Sequence, residues 1–173
     1  MDFYQILGEN NLVWTKGEMA AAVLTLAVVL LIAFLCCKKQ KMNVRQAVCL
    51  VLLTFFLLLV VTSTVFGRNP GKRRYNLTLF WSYTEIALGS KKILWEVLLN
   101  VVFLIPAGVL LPLVYNRPLR WYHGLLFGIL ISGTVEVLQL ITCRGLFEFD
   151  DIFHNTLGCM AGCILCSKLL RKR

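Results

Sequence analysis

Five long apolar runs, each closed by basic or turn residues, set the pattern of this chain. They cover about residues 19–37, 44–66, 93–115, 121–142 and 152–170. Each approaches the roughly 20 apolar residues that a helix needs to cross the hydrocarbon core of a bilayer. The pattern predicts an all-α polytopic membrane bundle of about five transmembrane helices. Lys38, Lys39 and Lys41 stop the first run, and Arg171, Lys172 and Arg173 follow the last. Pro106 predicts a kink in the third. The longest connection is 67–92. A short basic turn with Arg117, Pro118 and Arg120 precedes the fourth run, and an acidic loop, 144–151, precedes the fifth. The first run starts late and no basic stretch opens the chain, so a retained helix is expected rather than a cleaved signal peptide. The chain divides into an N-terminal part with two apolar spans, 1–66, and a domain of one long loop plus three spans, 67–173.

Composition supports a membrane setting. Of the 173 residues 58% are hydrophobic and 16% charged, with mean hydropathy +0.75. Soluble domains average about 45–50% apolar and about 25% charged. The net charge of +9 falls mostly on bases that flank apolar runs, where they anchor and orient helices. The lipid bilayer is therefore the expected partner, and nucleic acid is not. Placing the 38–45 loop, the 117–120 turn and the C-terminal tail in the cytoplasm puts ten of the eighteen Lys and Arg residues there. Without the 67–92 loop the balance is ten to two, which favours an external N-terminus and a cytoplasmic C-terminus. Most of the seven cysteines lie in or at the ends of apolar runs, where cysteine acts as a small hydrophobe. Cys163 and Cys166 form a C-x-x-C inside a helical pattern, without a second pair or a βαβ context.

The 67–92 loop departs from the charge rule. It opens with Arg68, Lys72, Arg73 and Arg74 and closes with Lys91 and Lys92. Between them Tyr75, Leu77, Leu79, Trp81 and Tyr83 alternate with Asn76, Thr78, Ser82 and Thr84, broken at Phe80. Period two predicts an extended stretch. Basic and aromatic residues together suit anionic headgroups or pyrophosphate-bearing lipids; they also suit an interfacial loop that packs onto the bundle. Asn76-Leu77-Thr78 is a formal glycosylation sequon.

Ionisable groups inside spans are costly, about 2.5–3.5 kcal/mol at mid-helix on insertion scales. Glu96 and Asn100 share one face of the third span. Ser132, Glu136 and Gln139 share one face of the fourth, and Asp151, Asn155, Gly158 and Gly162 one face of the fifth. All three stripes occupy the same half of the bilayer in either orientation. Glu136 lies about 10 Å below its interface at 1.5 Å per residue. The expectation is one polar cluster of Glu96, Asn100, Ser132, Glu136, Gln139, Arg144, Asp151 and Asn155, capped by Arg74 and Asn76. Such residues also bond helices to one another. Gly124-xxx-Gly128-xxx-Ser132 and Gly158-xxx-Gly162 predict close backbone approach. His123 and His154 have no partner at zinc-site spacing. An oxygen set of Glu148, Asp150 and Asp151 matches no specific metal loop, so neither metal nor cofactor is expected. No nucleophile elbow, phosphate loop or zinc-protease signature is present.

The order Arg74-Tyr75-Asn76-Leu77, Glu96-xxx-Asn100-xxxxx-Pro106-Ala107-Gly108, Ser132-xxx-Glu136-xx-Gln139-xxxx-Arg144 and Asp151-xxx-Asn155-xx-Gly158-xxx-Gly162 resembles the VanZ-like family over roughly residues 68–170. One departure is Leu79 before Phe80, where the family often has proline before the aromatic. The resemblance implies a bacterial cell-membrane protein. It links the chain to resistance to the lipoglycopeptide teicoplanin.

Three readings follow. The first is a non-catalytic accessory that binds a lipid-linked envelope precursor or an amphiphilic antibiotic at the outer leaflet. The second is a membrane-embedded hydrolase or transferase with Glu136 or Asp151 as general base. The third is a transporter with Glu96 and Glu136 as proton sites. Polar residues crowded into one half of the bilayer, beside two almost purely apolar spans, count against transport.

Overall fold

The computed structural model of the chain describes residues 15–172. Its elements are α1 (Lys16–Lys38), α2 (Val44–Val61), β1 (Arg74–Asn76), α3 (Trp81–Ala87), α4 (Lys91–Phe103), α5 (Ile105–Tyr115), α6 (Trp121–Thr142), β2 (Leu146–Glu148) and α7 (Phe149–Arg171). A π-helical turn, Thr62–Phe66, continues α2. The protein is an all-α membrane bundle. Among the described residues four segments, Lys16–Lys38, Val44–Phe66, Lys91–Tyr115 and Trp121–Thr142, are long and apolar enough to cross a membrane. The fifth long helix, α7, is 23 residues and turns a polar face inward.

Local chemistry sets the helix starts. Thr15 and Glu18 form a reciprocal capping box at α1, and Asn43 and Gln46 another at α2. Ser90 caps α4. Asn116 and Cys143 end α5 and α6 in left-handed conformations. The bend in the third span falls at Leu104, just ahead of Pro106, which occupies the first turn of α5. There its missing N–H is no loss, so the proline opens a helix rather than kinking one from within.

Helix α7 is the centre, packed against α4, α5 and α6, with α2 on α5 and α1 on α2. Glycines let it sit so close. A Cβ on Gly158 would fall on the Val101 carbonyl of α4, one on Gly162 on the Ile105 carbonyl, and one on Gly108 on the Cys159 carbonyl. Gly124 and Gly128 face Cys163, Met160, Cys159 and Thr156 across the α6–α7 seam. Lipid tails are as apolar as Leu, so van der Waals contact at such seams replaces the hydrophobic drive of a soluble core.

The two long loops meet at one end. β1 and β2 pair in parallel, with Arg74 opposite Leu146, Tyr75 opposite Phe147 and Asn76 opposite Glu148. The extended stretch expected over 75–84 is a strand only at its start. From Trp81 the chain is helical, because a carboxylate from α7 caps that turn.

Gly158→Ala should destabilise the bundle by about 1–3 kcal/mol or more, the range for overpacking a tight interface. Gly133 has nothing within 4 Å of an added Cβ, so Gly133→Ala should be near neutral. Thermal unfolding of both variants in detergent checks the contrast.

Candidate functional site

Asp150 is the most connected side chain at the loop end. Its Oδ1 accepts from the Phe80 amide at 2.6 Å, and its Oδ2 from the Ser82 amide at 3.1 Å and the Ser82 hydroxyl at 2.5 Å. Helix α3 has no side-chain cap of its own, and Phe80 ahead of it is left-handed at φ 62°. Asp150 thus supplies from α7 the acceptor that a local N-cap would give, and holds a conformation that costs an aromatic residue about 1–3 kcal/mol. Tyr83 Oη lies 3.0 Å from His154 Nε2. Phe80 packs edge-on to Phe153 at 5.3 Å between ring centres. Together these fasten α3 to α7.

Glu136, 2% exposed, lies beneath β2, where its Oε2 accepts from the Glu148 amide at 3.0 Å. Gln139 donates to the Thr64 carbonyl at 3.3 Å, and Asn155 to the Ser132 hydroxyl at 3.0 Å. These residues join helices or hold loop backbone. Asn100 donates to Asp151 at 2.6 Å, and Glu96 pairs with Lys92 at 3.5 Å on an exposed face.

Two cavities open here. The first, about 510 Å³, is acid-rich: Glu96, Glu148, Asp150 and Asp151 line it beside Asn100, Arg68, Lys92 and Trp81. The second, about 560 Å³, is lined by Arg68, Lys72, Arg74 and Arg144, with no acidic residue in its wall among the described residues. Arg68 belongs to both. Gly145 makes room for it: a Cβ there would lie 3.1 Å from Arg68 Nη1 and 2.8 Å from Gln139 Oε1.

The expected single cluster is therefore divided. Glu96, Asn100 and Asp151 share the acid-rich cavity, with Glu136 buried under β2. Arg144 is not the partner of these carboxylates. It donates to Glu18 of α1 at 2.9 Å and packs over Phe66. The reason is position: Arg144 follows the left-handed Cys143, which turns the chain toward α1 and the π turn. Arg74 lines the basic cavity, and Asn76 accepts from the Thr78 amide in a local turn, so neither caps the carboxylates. Sequence reasoning missed Arg68 and Asp150 as central residues. A signal for Asp150 existed: Leu79-Phe80 offers no capping side chain to a helix that starts at Trp81.

Glu148 stands outside the spans. Burial, then the charge of Asp151, raises its carboxyl from 4.5 to about 7. Its Oε1 is buried with no hydrogen-bond partner. Among the described residues, no three His, Cys, Asp or Glu side chains gather as a metal set.

Compared with known families, residues 44–171 match VanZ/LLP1. No curated protein and no solved structure matches the chain.

Two tests follow. Asp150→Ala should speed amide exchange at Phe80 and Ser82 at least tenfold, since charge-assisted bonds are worth about 1.5–3 kcal/mol; exchange mass spectrometry reads it. Glu148 binds its proton more tightly folded than unfolded. Its contribution is therefore fully present below pH 4.5 and is lost as pH rises through about 7. Glu148→Gln should flatten the fall in stability across that window in a pH series of thermal unfolding.

Proposed function

The chain belongs to the VanZ/LLP1 family, and from that premise we propose that it is a binding protein of the membrane face. Its ligand is an amphiphile with an anionic headgroup: a lipid-linked envelope precursor, or a lipoglycopeptide such as teicoplanin. The observation that carries this reading is the basic cavity at the loop end, where Arg68, Lys72 and Arg74 converge beside Arg144, whose charge Glu18 already pairs. Guanidinium groups match phosphate and carboxylate oxygens in bidentate geometry. The exposed Tyr75, Leu77 and Leu79 beside it suit the headgroup layer, where the rest of an amphiphile lies. The charge balance of the loops supports an external face in a bacterial plasma membrane, with the N-terminus outside. Binding is favoured over catalysis because Glu136 and Asp150, the most buried carboxylates, already accept backbone N–H groups.

An enzyme is the second reading. Glu148 supports it, because a carboxyl near 7 lining a cavity suits a general base.

Polyprenyl pyrophosphate titrated onto the detergent-solubilised protein tests binding. The wild type should bind, and Arg68→Gln should weaken binding about tenfold or more, the worth of one charge-assisted contact. In cells, Arg68→Gln should lose teicoplanin tolerance at unchanged protein level. An impermeant thiol reagent should label Cys143 from outside. No binding by the wild type ends this reading, and release of phosphate by the wild type but not by Glu148→Gln replaces it with the enzyme.

A further inference from the structure

The opposite end of the bundle carries a second feature. A groove of about 500 Å³ runs between α5 and α7, walled by Val109 and Leu113 on one side and Leu165 and Leu169 on the other, with Arg45 and Lys172 in its lining. Leu165 and Leu169 are more than half exposed, so the groove opens outward. Sixteen residues of α7 separate Phe149 from Leu165, about 24 Å of helix. The groove thus lies near the membrane face away from the loops.

Charge singles it out. None of the nine acidic residues falls within 38–47, 108–123 or 160–173, whereas ten of the eighteen bases do. Two other apolar grooves lie along α1 and α2, and neither has a charged residue in its wall. Of these three apolar grooves among the described residues, the α5–α7 groove is the one with cations in its lining. A molecule complementary to this groove has an acyl chain for the trough and a phosphate for Arg45 and Lys172.

We propose that the α5–α7 groove is a binding site for an anionic phospholipid of the leaflet opposite the loop cavities. Basic pockets between membrane helices hold such headgroups by the same physics, each base near the surface contributing about fivefold in affinity. The site is independent of the loop cavities and of what they bind.

The test reconstitutes the full chain in nanodiscs of equal phosphatidylcholine and phosphatidylglycerol. Native mass spectrometry then counts the lipids that stay bound. The wild type should retain phosphatidylglycerol over phosphatidylcholine. Joint Arg45→Gln and Lys172→Gln, both exposed, should remove the preference. Joint Arg117→Gln and Arg120→Gln, with the same charge change on the same face, should keep it. Leu169→Trp, which narrows the trough, should lower retention with the cations intact. Equal retention of the two lipids by the wild type overturns the proposal. So does preference surviving the Arg45 and Lys172 changes, or an equal loss in the Arg117 and Arg120 control, which would make the charge of the face, and not the groove, responsible.

Discussion

Loop backbone buried among helices must find an acceptor for each N–H group, and leaving one without a partner costs about 1–3 kcal/mol. Here two carboxylates meet that demand. Glu136, well inside α6, takes the amide of Glu148, and Asp150 takes those of Phe80 and Ser82. Removing either leaves loop backbone buried without a partner. The parallel β1–β2 pair, the short α3 and both cavities all depend on these bonds.

The polarity of α7 has the same origin. It is the helix that α4, α5 and α6 lean on, yet it is the least apolar of the long helices. One turn supplies Asp150 to the loop ahead of α3 and Asp151 to Asn100 of α4. The next supplies His154 and Asn155 to α3 and α6. Glycines then take over where α4 and α5 press on it. Hydrogen bonds at one end and close backbone contact along the rest replace the apolar stripe of an ordinary span.

Much of this was legible in the chain. Run lengths give the spans, and helical spacing puts Glu96 with Asn100 and Ser132 with Glu136 and Gln139 on common faces. The glycine pairs announce the close seams. What escaped is what tertiary contact decides. Arg68 is one of six bases in its loop, and nothing local marks it as the one between two cavities. Arg144 follows the polar face of α6 in sequence, but Cys143 turns it toward Glu18, more than a hundred residues away. The alternation after Tyr75 reads as strand because a seven-residue helix offers too few turns to show its period. Its start needed an acceptor from another segment.

The arrangement that results, with buried acids holding the loops and Arg68 lining both cavities, rests most directly on Glu136. Glu136→Leu keeps the volume near that of the native side chain and removes the acceptor. Amide exchange at Glu148, compared in wild type and variant, measures the bond. Exchange at Glu148 should be at least about tenfold faster in the variant, with loosening spreading to Arg74–Asn76 through the paired strand. Unchanged protection at Glu148 would contradict it, because the loop would then be held without the carboxylate beneath it.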